Sequence, residues 1–317
     1  MDKLNTQKFL QKKILITGGS GWLGKAAVNT FVMNLGFKVD EIILVSRIPR
    51  VTKIGEHIIN STSWSEISKV PNIGLEYFLP FAFVTREQMS SRNLDSYAQV
   101  NNSLIRTHSE IIKSLHPANV INISSGAAKD LSKSFQGDQD NIYGKLKFIE
   151  EESMKEASSF AGSNLITARL WNCSGFGISK VNTFAMGEFV SSVINNRNIV
   201  INSKSAVLRR YVDISEFLLL CLRVAKNEKY QYFESGGELI ELRKLAEKVV
   251  ALLNPKSTVE APRVSKSLPS DDYFSKSEGY EKLLWANFGR VPMNLDDQIL
   301  ETANYIRANF RGDNLNE

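Results

Sequence analysis

The sequence predicts an α/β protein: a doubly wound parallel sheet with a smaller C-terminal lobe. Three observations predict it. Apolar runs alternate with helical patterns as far as Leu170. The first run breaks into a glycine-rich turn that opens a helix. After about Gly177 the connections lengthen and grow richer in Ser, Pro and Asp, above all in Pro255–Lys276. Alternating strands and helices with right-handed crossovers place helices on both faces of one parallel sheet.

The expected strands are Lys13–Thr17, Glu41–Ser46, His57–Ile59, Gly74–Leu79, Asn119–Ser124 and Asn164–Leu170, each a short run rich in β-branched and aromatic residues. Between them Gly24–Leu35, Asn101–Leu115 and Tyr143–Phe160 carry helical spacing. In the second part, helices are expected at Phe184–Asn195, Ile214–Ala225, Leu242–Leu253 and Asp296–Ala308, with strand-like pieces at Ile199–Asn202 and Arg209–Val212. The expected division is residues 1–178 plus about 209–236 for the sheet domain, and about 179–208 plus 237–317 for the second lobe. The last residues, Gly312–Glu317, are expected to fray.

Composition narrows the class. The 317 residues are 43% hydrophobic and 23% charged, an ordinary globular balance. No apolar stretch approaches a membrane span, and Met1 to Lys13 is polar, without the apolar centre of a secretory signal. Cys173 and Cys221 are the only cysteines, both in apolar surroundings, so buried thiols and a cytoplasmic protein are expected. The net charge is +5, but basic and acidic residues are mixed throughout. That balance fits an anionic small substrate better than nucleic acid. The three histidines, His57, His108 and His116, fall outside the motifs and are read as structural, with no metal site.

Gly19-Ser20-Gly21-Trp22-Leu23-Gly24 reads as G-x-G-x-x-G, and Gly18, Gly21 and Gly24 also fit G-x-x-G-x-x-G. Missing Cβ atoms allow a sharp turn and a close approach of backbone to phosphate, at the positive end of a helix dipole. A preceding strand and a following helix supply the context that a bare glycine motif lacks. At the end of the second strand an acidic residue would take the ribose 2′-hydroxyl of NAD; here stand Ser46 and Arg47, with Arg50 beyond. An arginine pairs with a 2′-phosphate, so NADP(H) is favoured and NAD(H) is the alternative.

The run Asn119–Ser124 leads into Ser125-Gly126, and Tyr143 follows eighteen residues later with Lys147 one helical turn beyond it. Tyr143 and Lys147 share a helix face. A free tyrosine titrates near ~10, and a neighbouring ammonium favours its phenolate. With Ser125 holding the substrate oxygen, the three form a proton shuttle beside a hydride carrier.

In this order the motifs resemble the short-chain dehydrogenase/reductase superfamily, in its extended, nucleotide-sugar epimerase/dehydratase-like branch with a Rossmann fold. Thr17 to Gly24 matches T-G-x-x-G-x-x-G; Val100-Asn101 resembles the V-N opening the fourth helix. Arg169 to Gly177 is similar to R-P-x-N-x-x-G-x-G, Arg209-Arg210-Tyr211-Val212 to R-D-[FY]-V, and Glu234 to Glu238 to N-x-G-x-G-E. The resemblance implies that Ser125, Tyr143 and Lys147 are catalytic. It implies cofactor contacts from Gly18, Ser20, Gly21, Trp22, Leu23, Gly24, Ser46, Arg47, Ala82, Asn101, Ser124, Tyr143, Lys147 and Leu170. It implies that Ser125, Asn172 and Arg209 meet a nucleotide-diphosphate sugar, and that the helices Asn101–Leu115 and Tyr143–Phe160 pair two protomers into a homodimer. The branch's 4,6-dehydratases carry Thr-Asp-Glu where Ser125-Gly126-Ala127 stands, and neither Gly126 nor Ala127 exchanges a proton. The expectation is a 4-ketoreductase using NADPH, with an epimerase retaining NAD(P) as the alternative. A dehydrogenase of a non-nucleotide alcohol or ketone, or a non-catalytic dinucleotide-binding regulator, stands behind both.

Overall fold

The computed structural model describes residues 13–67, 74–86, 93–128, 141–265 and 267–310. The expectation for Gly312–Glu317 lies outside them. Along the chain run β1 (Ile14–Thr17), α1 (Trp22–Asn29), β2 (Ile42–Ser46), β3 (Val51–Ile54), β4 (His57–Asn60), β5 (Thr62–Ser63), α2 (Trp64–Ile67), β6 (Tyr77–Pro80), α3 (Leu94–Leu115), β7 (Asn119–Ser125), α4 (Ile142–Ala161) and β8 (Asn164–Leu170). Then follow β9 (Cys173–Ser174), α5 (Ala185–Ile194), β10 (Ile199–Val200), β11 (Val207–Asp213), α6 (Ile214–Ala225), β12 (Tyr230–Glu234), β13 (Glu238–Glu241), α7 (Leu242–Leu253), β14 (Val259–Glu260), β15 (Asp271–Tyr273), α8 (Gly279–Phe288) and α9 (Leu295–Asn309). None of the described helices is long and apolar enough to cross a membrane.

Two compact units divide these elements: Met1–Leu170 with Leu218–Phe233, and Trp171–Phe217 with Glu234–Glu317. The first carries a seven-stranded sheet in the order β12-β8-β7-β6-β1-β2-β5. Pairings from β8 through β5 are parallel, with β1 between β2 and β6. This is the Rossmann-like doubly wound sheet. Every residue of β1 is buried, as a central parallel strand covered on both faces requires. Leu15, Ile43, Phe78 and Val120 from the sheet pack with Ile105, Ile112 and Leu115 of α3 and Met154 and Ala157 of α4.

Three of the expected elements depart most from expectation. The helix after the glycine turn is α-helical only to Asn29, then runs through a π-turn at Thr30–Asn34. α3 begins at Leu94 rather than Asn101, because Asn93 accepts the Ser96 N–H at 2.7 Å and caps it. His57–Ile59 is not a strand of the main sheet: β4 pairs only with β3, antiparallel, across Gly55 at φ +57°. The sheet edge on β2 goes to the two-residue β5 instead. Finally, Cys221 is buried but Cys173 is only half-buried.

In the second unit β11 is the hub. It pairs antiparallel with β13 and parallel with β15 and β9. Trp171–Ile178, Arg209–Phe217 and Glu234–Gly236 fall in this unit, whereas the sequence predicts them in the other. A separate parallel pair joins β10 and β14, and α5, α7 and α9 pack on one another.

β11 ends at Asp213, whose Oδ1 accepts the Glu216 N–H at 2.8 Å and caps α6. Its other oxygen lies 2.2 Å from where a Cβ on Gly175 would sit, and Gly175 holds φ +94°. Burial pushes the Asp213 carboxyl up to about 6, against the pull of the Glu216 N–H. A folded-state value above the unfolded one means that the folded protein holds this proton more tightly. The associated stability is therefore complete below about pH 4 and is lost as pH rises through about 6. Asp213→Asn keeps the cap and carries no charge. Its stability relative to wild type should rise over that window, by up to about 3 kcal/mol. Urea melts at about pH 4 and about pH 7.5 check this; an equal difference at both values contradicts it.

Candidate active site

The site begins where β1 meets α1. Gly18 sits at φ +67°, and a Cβ there would lie 2.7 Å from the Phe81 carbonyl oxygen. A Cβ on Gly24 would lie 2.5 Å from the Gly18 oxygen. The turn closes on itself: the Gly21 N–H donates to Gly18 O and the Lys25 N–H to Gly21 O, both at 3.0 Å. Gly21 is the N-cap, in extended backbone, and brings no side chain to compete for the first-turn amides that begin at Trp22 and Leu23. This cradle of closely approaching backbone at a helix N-terminus fits a dinucleotide pyrophosphate.

Beside it lies a cleft of about 160 Å³, lined by Gly18–Ser20, Leu44–Arg47, Arg50, Thr52, Ser61, Trp64, Ala82 and Leu104. Arg47 and Arg50 are exposed at its rim, and among the described residues no carboxylate lines it. Ser46 donates to Ile48 O and shares a bond with Ser61, both at 2.7 Å; Ser61 in turn accepts the Arg50 N–H at 2.9 Å. These serines fix the backbone that presents both arginines. Thr17, at the end of β1, accepts the Ala82 N–H at 2.9 Å and bonds His108 Nε2 at 3.1 Å. His108 is fully buried, and burial, with Lys147 adding to it, pushes its imidazole down to about 3. It is a neutral structural histidine. Asn101 spends both ends of its amide on Val84, accepting its N–H at 2.8 Å and donating to its carbonyl at 3.2 Å. It acts on the cleft through the 81–84 segment that it holds.

The proposed catalytic residues gather at the carboxyl end of β7. Ser124 and Ser125 are both buried there, and the Ser125 Oγ accepts the Ala127 N–H at 3.2 Å. Gly144, in the first turn of α4, would place a Cβ 2.3 Å from Ala127 O. Asn141 caps the helix through the Gly144 N–H at 3.0 Å and also donates to Ala127 O at 3.2 Å. α4 is thereby pressed against the Ser125–Ala127 segment, which brings Tyr143 to that end of the sheet. The half-buried Tyr143 ring meets Phe83 edge-on at 5.9 Å. One turn on, Lys147 Nζ donates to Ile123 O at 3.1 Å and to Glu150 at 2.7 Å, and lies 4.1 Å over the Phe83 ring. Arg169 of β8 grips Glu151 with two bonds of 2.7 and 2.8 Å, anchoring the middle of α4. Leu170 stands beside Ser125 in the β7–β8 register.

The family model described as the NAD dependent epimerase/dehydratase family matches residues 14–234. The chain belongs to this family. No curated protein matches. Among solved structures, UDP-glucose 4-epimerase from Thermotoga maritima, in a structure with UDP-glucose, is 18% identical. It has a TM-score of 0.72, over 94% of this chain and 100% of that one. UDP-N-acetylglucosamine 4-epimerase from Bacillus cereus is 17% identical, TM-score 0.71, over 96% and 99%. UDP-glucose 4-epimerase from Brucella ovis, in complex with NAD, is 13% identical, TM-score 0.71, over 93% and 98%. These likenesses establish the shared fold.

Two residues expected to meet substrate lie in the second unit of this epimerase/dehydratase family member. Asn172 donates to the carbonyls of Arg210 at 3.3 Å and Tyr273 at 3.1 Å. Arg209 places its guanidinium on Asp271, with bonds of 2.8 Å to the carbonyl and 2.9 Å to the carboxylate, and lies over the Tyr273 ring. Both therefore converge on β15. Sequence reasoning missed Asp271 and Glu150. Only Glu150 carried a signal, its i+3 spacing from Lys147 on one helix.

Gly24→Ala tests the cradle. The added methyl meets backbone, which does not yield, so stability should fall by about 1–3 kcal/mol. Binding of NAD(P)H, followed by fluorescence, should weaken at least about tenfold. Wild-type values for both would show that the close approach does not matter.

Proposed function

We propose that this protein exchanges a hydride between NADP(H) and a carbinol or ketone carbon of a nucleotide-diphosphate sugar, acting as a 4-ketoreductase. The observation that carries the cofactor choice is a cleft with two arginines at its rim and, among the described residues, no carboxylate in its lining. That lining suits a 2′-phosphate and offers nothing to a 2′-hydroxyl that an acid would take.

Gly18–Gly24 would hold the pyrophosphate. Ser46, Arg47 and Arg50 would hold the adenosine side, and Ala82, Ser124 and Leu170 would border the nicotinamide side. Bound there, the nicotinamide ring supplies the hydride. Tyr143 gives its hydroxyl proton to the oxygen of the carbon being reduced, and Ser125 holds that oxygen by hydrogen bonding. Lys147 keeps a positive charge one helical turn away, which favours the tyrosinate left behind. Asn172 and Arg209 bind the diphosphate, with Arg209 exchanging Asp271 for phosphate oxygens. Gly126 and Ala127 offer no acid–base pair for eliminating water, so dehydration is not part of the proposal. A homodimer through α3 and α4 and a cytoplasmic location complete the reading. The second reading is a 4-epimerase with retained NAD(P), favoured by the family and by fold neighbours that are UDP-sugar 4-epimerases.

Tyr143→Phe removes the proton donor without changing the ring. Turnover of a UDP- or dTDP-4-keto sugar with NADPH should fall about 10²–10⁴-fold, with KM little changed. Undiminished turnover would overturn the catalytic assignment.

Replacing Arg47 and Arg50 together by Ala should weaken NADPH binding about tenfold or more and leave NADH binding within about twofold. Calorimetric titration of the two cofactors checks this. Equal effects on both would favour the NAD-retaining epimerase.

A further inference from the structure

α4 carries two adjacent buried glutamates, and only one of them has a structural explanation. Glu151 is held by both arms of Arg169. Glu150 is fully buried, and its one recorded hydrogen-bond and ion-pair partner is Lys147, at 2.7 Å. Its second oxygen, Oε1, has no partner among the described residues. Burying a carboxylate costs several kcal/mol unless its partners repay it, so a position with no other task is filled more cheaply by an apolar side chain. The pair sits where the chemistry is expected: the Lys147 ammonium also donates to Ile123 O, at the end of β7, and covers the Phe83 ring that touches Tyr143.

We propose that Glu150 is a positioning residue for Lys147: it holds the ammonium in place, and it moderates how strongly that charge acts on Tyr143. The proposal rests on the reading of Tyr143 and Lys147 as proton donor and electrostatic partner. Two contacts from Lys147 Nζ, to Glu150 and to Ile123 O, fix where the ammonium lies. The carboxylate offsets part of the positive field reaching the tyrosine.

The other charged or titratable groups that act on the pair are few. Glu151 on α4 is held by Arg169 from β8. His108 from α3 feels Lys147 and is neutral. β7 brings carbonyl, amide and hydroxyl groups and no ionisable side chain. Burial raises the Glu150 carboxyl above its ordinary range; Lys147 opposes that rise without cancelling it, and Glu151 adds to it.

The test is an ultraviolet titration of the tyrosinate, which needs neither substrate nor cofactor. The spectrum of each protein minus that of its Tyr143→Phe counterpart isolates Tyr143. Removing the charge with Glu150→Gln should move the midpoint to lower pH by about one unit or more, because the ammonium then acts unopposed. Glu150→Leu, which suits the buried position if Gln folds poorly, should move it the same way. Glu150→Asp keeps the charge and should stay near wild type. A purely structural role would lower stability and leave the midpoint alone. An unmoved midpoint in the Gln and Leu variants overturns the proposal, as does an Asp variant that shifts as far as Gln. The catalytic reading fails separately, by undiminished turnover in Tyr143→Phe.

Discussion

The tightest constraint in the sheet unit is the absence of space between the backbone of Gly18, that of Gly24 and the Phe81 carbonyl. Any Cβ at Gly18 or Gly24 would meet main-chain atoms within 2.7 Å. Helix α1 can start directly above β1 only because those atoms are missing. The consequences spread outward. The 81–84 segment must lie against the turn, and Thr17 and Asn101 hold it there from β1 and α3. That segment carries Ala82 into the cleft and Phe83 onto Tyr143 and Lys147. A backbone contact at one turn thereby sets the wall shared by the cleft and by Tyr143 and Lys147.

A second close approach repeats the same device on the other side. Gly144 lets α4 press on the Ser125–Ala127 segment, and Asn141 ties the two with its amide. The helix then presents Tyr143, Lys147 and Glu150 in successive turns against the end of β7. Lys147 is buried with a carbonyl, a carboxylate and an aromatic face around it, so its side chain is held in one place. Polar groups of this kind add little net stability, and their value lies in holding one geometry.

The sheet, the helices with strong periodicity and the glycine turn were legible because each rests on local spacing. Ile214–Ala225 and Leu242–Leu253 match their helices residue for residue. The misplacements share a cause. His57–Ile59 has strand composition, but composition does not say which neighbour a strand will pair with, and Gly55 turned it into a hairpin with β3. The start of α3 is polar on most sides and was visible only through the Asn93 cap. The strands of the second unit are two to seven residues long and draw their partners from distant parts of the chain, which no local window contains.

What the sequence by itself determined is the set of groups available: a glycine turn, arginines in place of an acid after β2, and a serine, tyrosine and lysine in order. Chain spacing suffices for these because backbone sterics and helix periodicity are local. The tertiary structure decided how each group is engaged. Arg209 faces Asp271, Asn101 holds Val84, and Lys147 carries a buried counter-charge three residues along its own helix. Those outcomes depend on desolvation and on residues far apart in the chain, and both arise only when the elements pack.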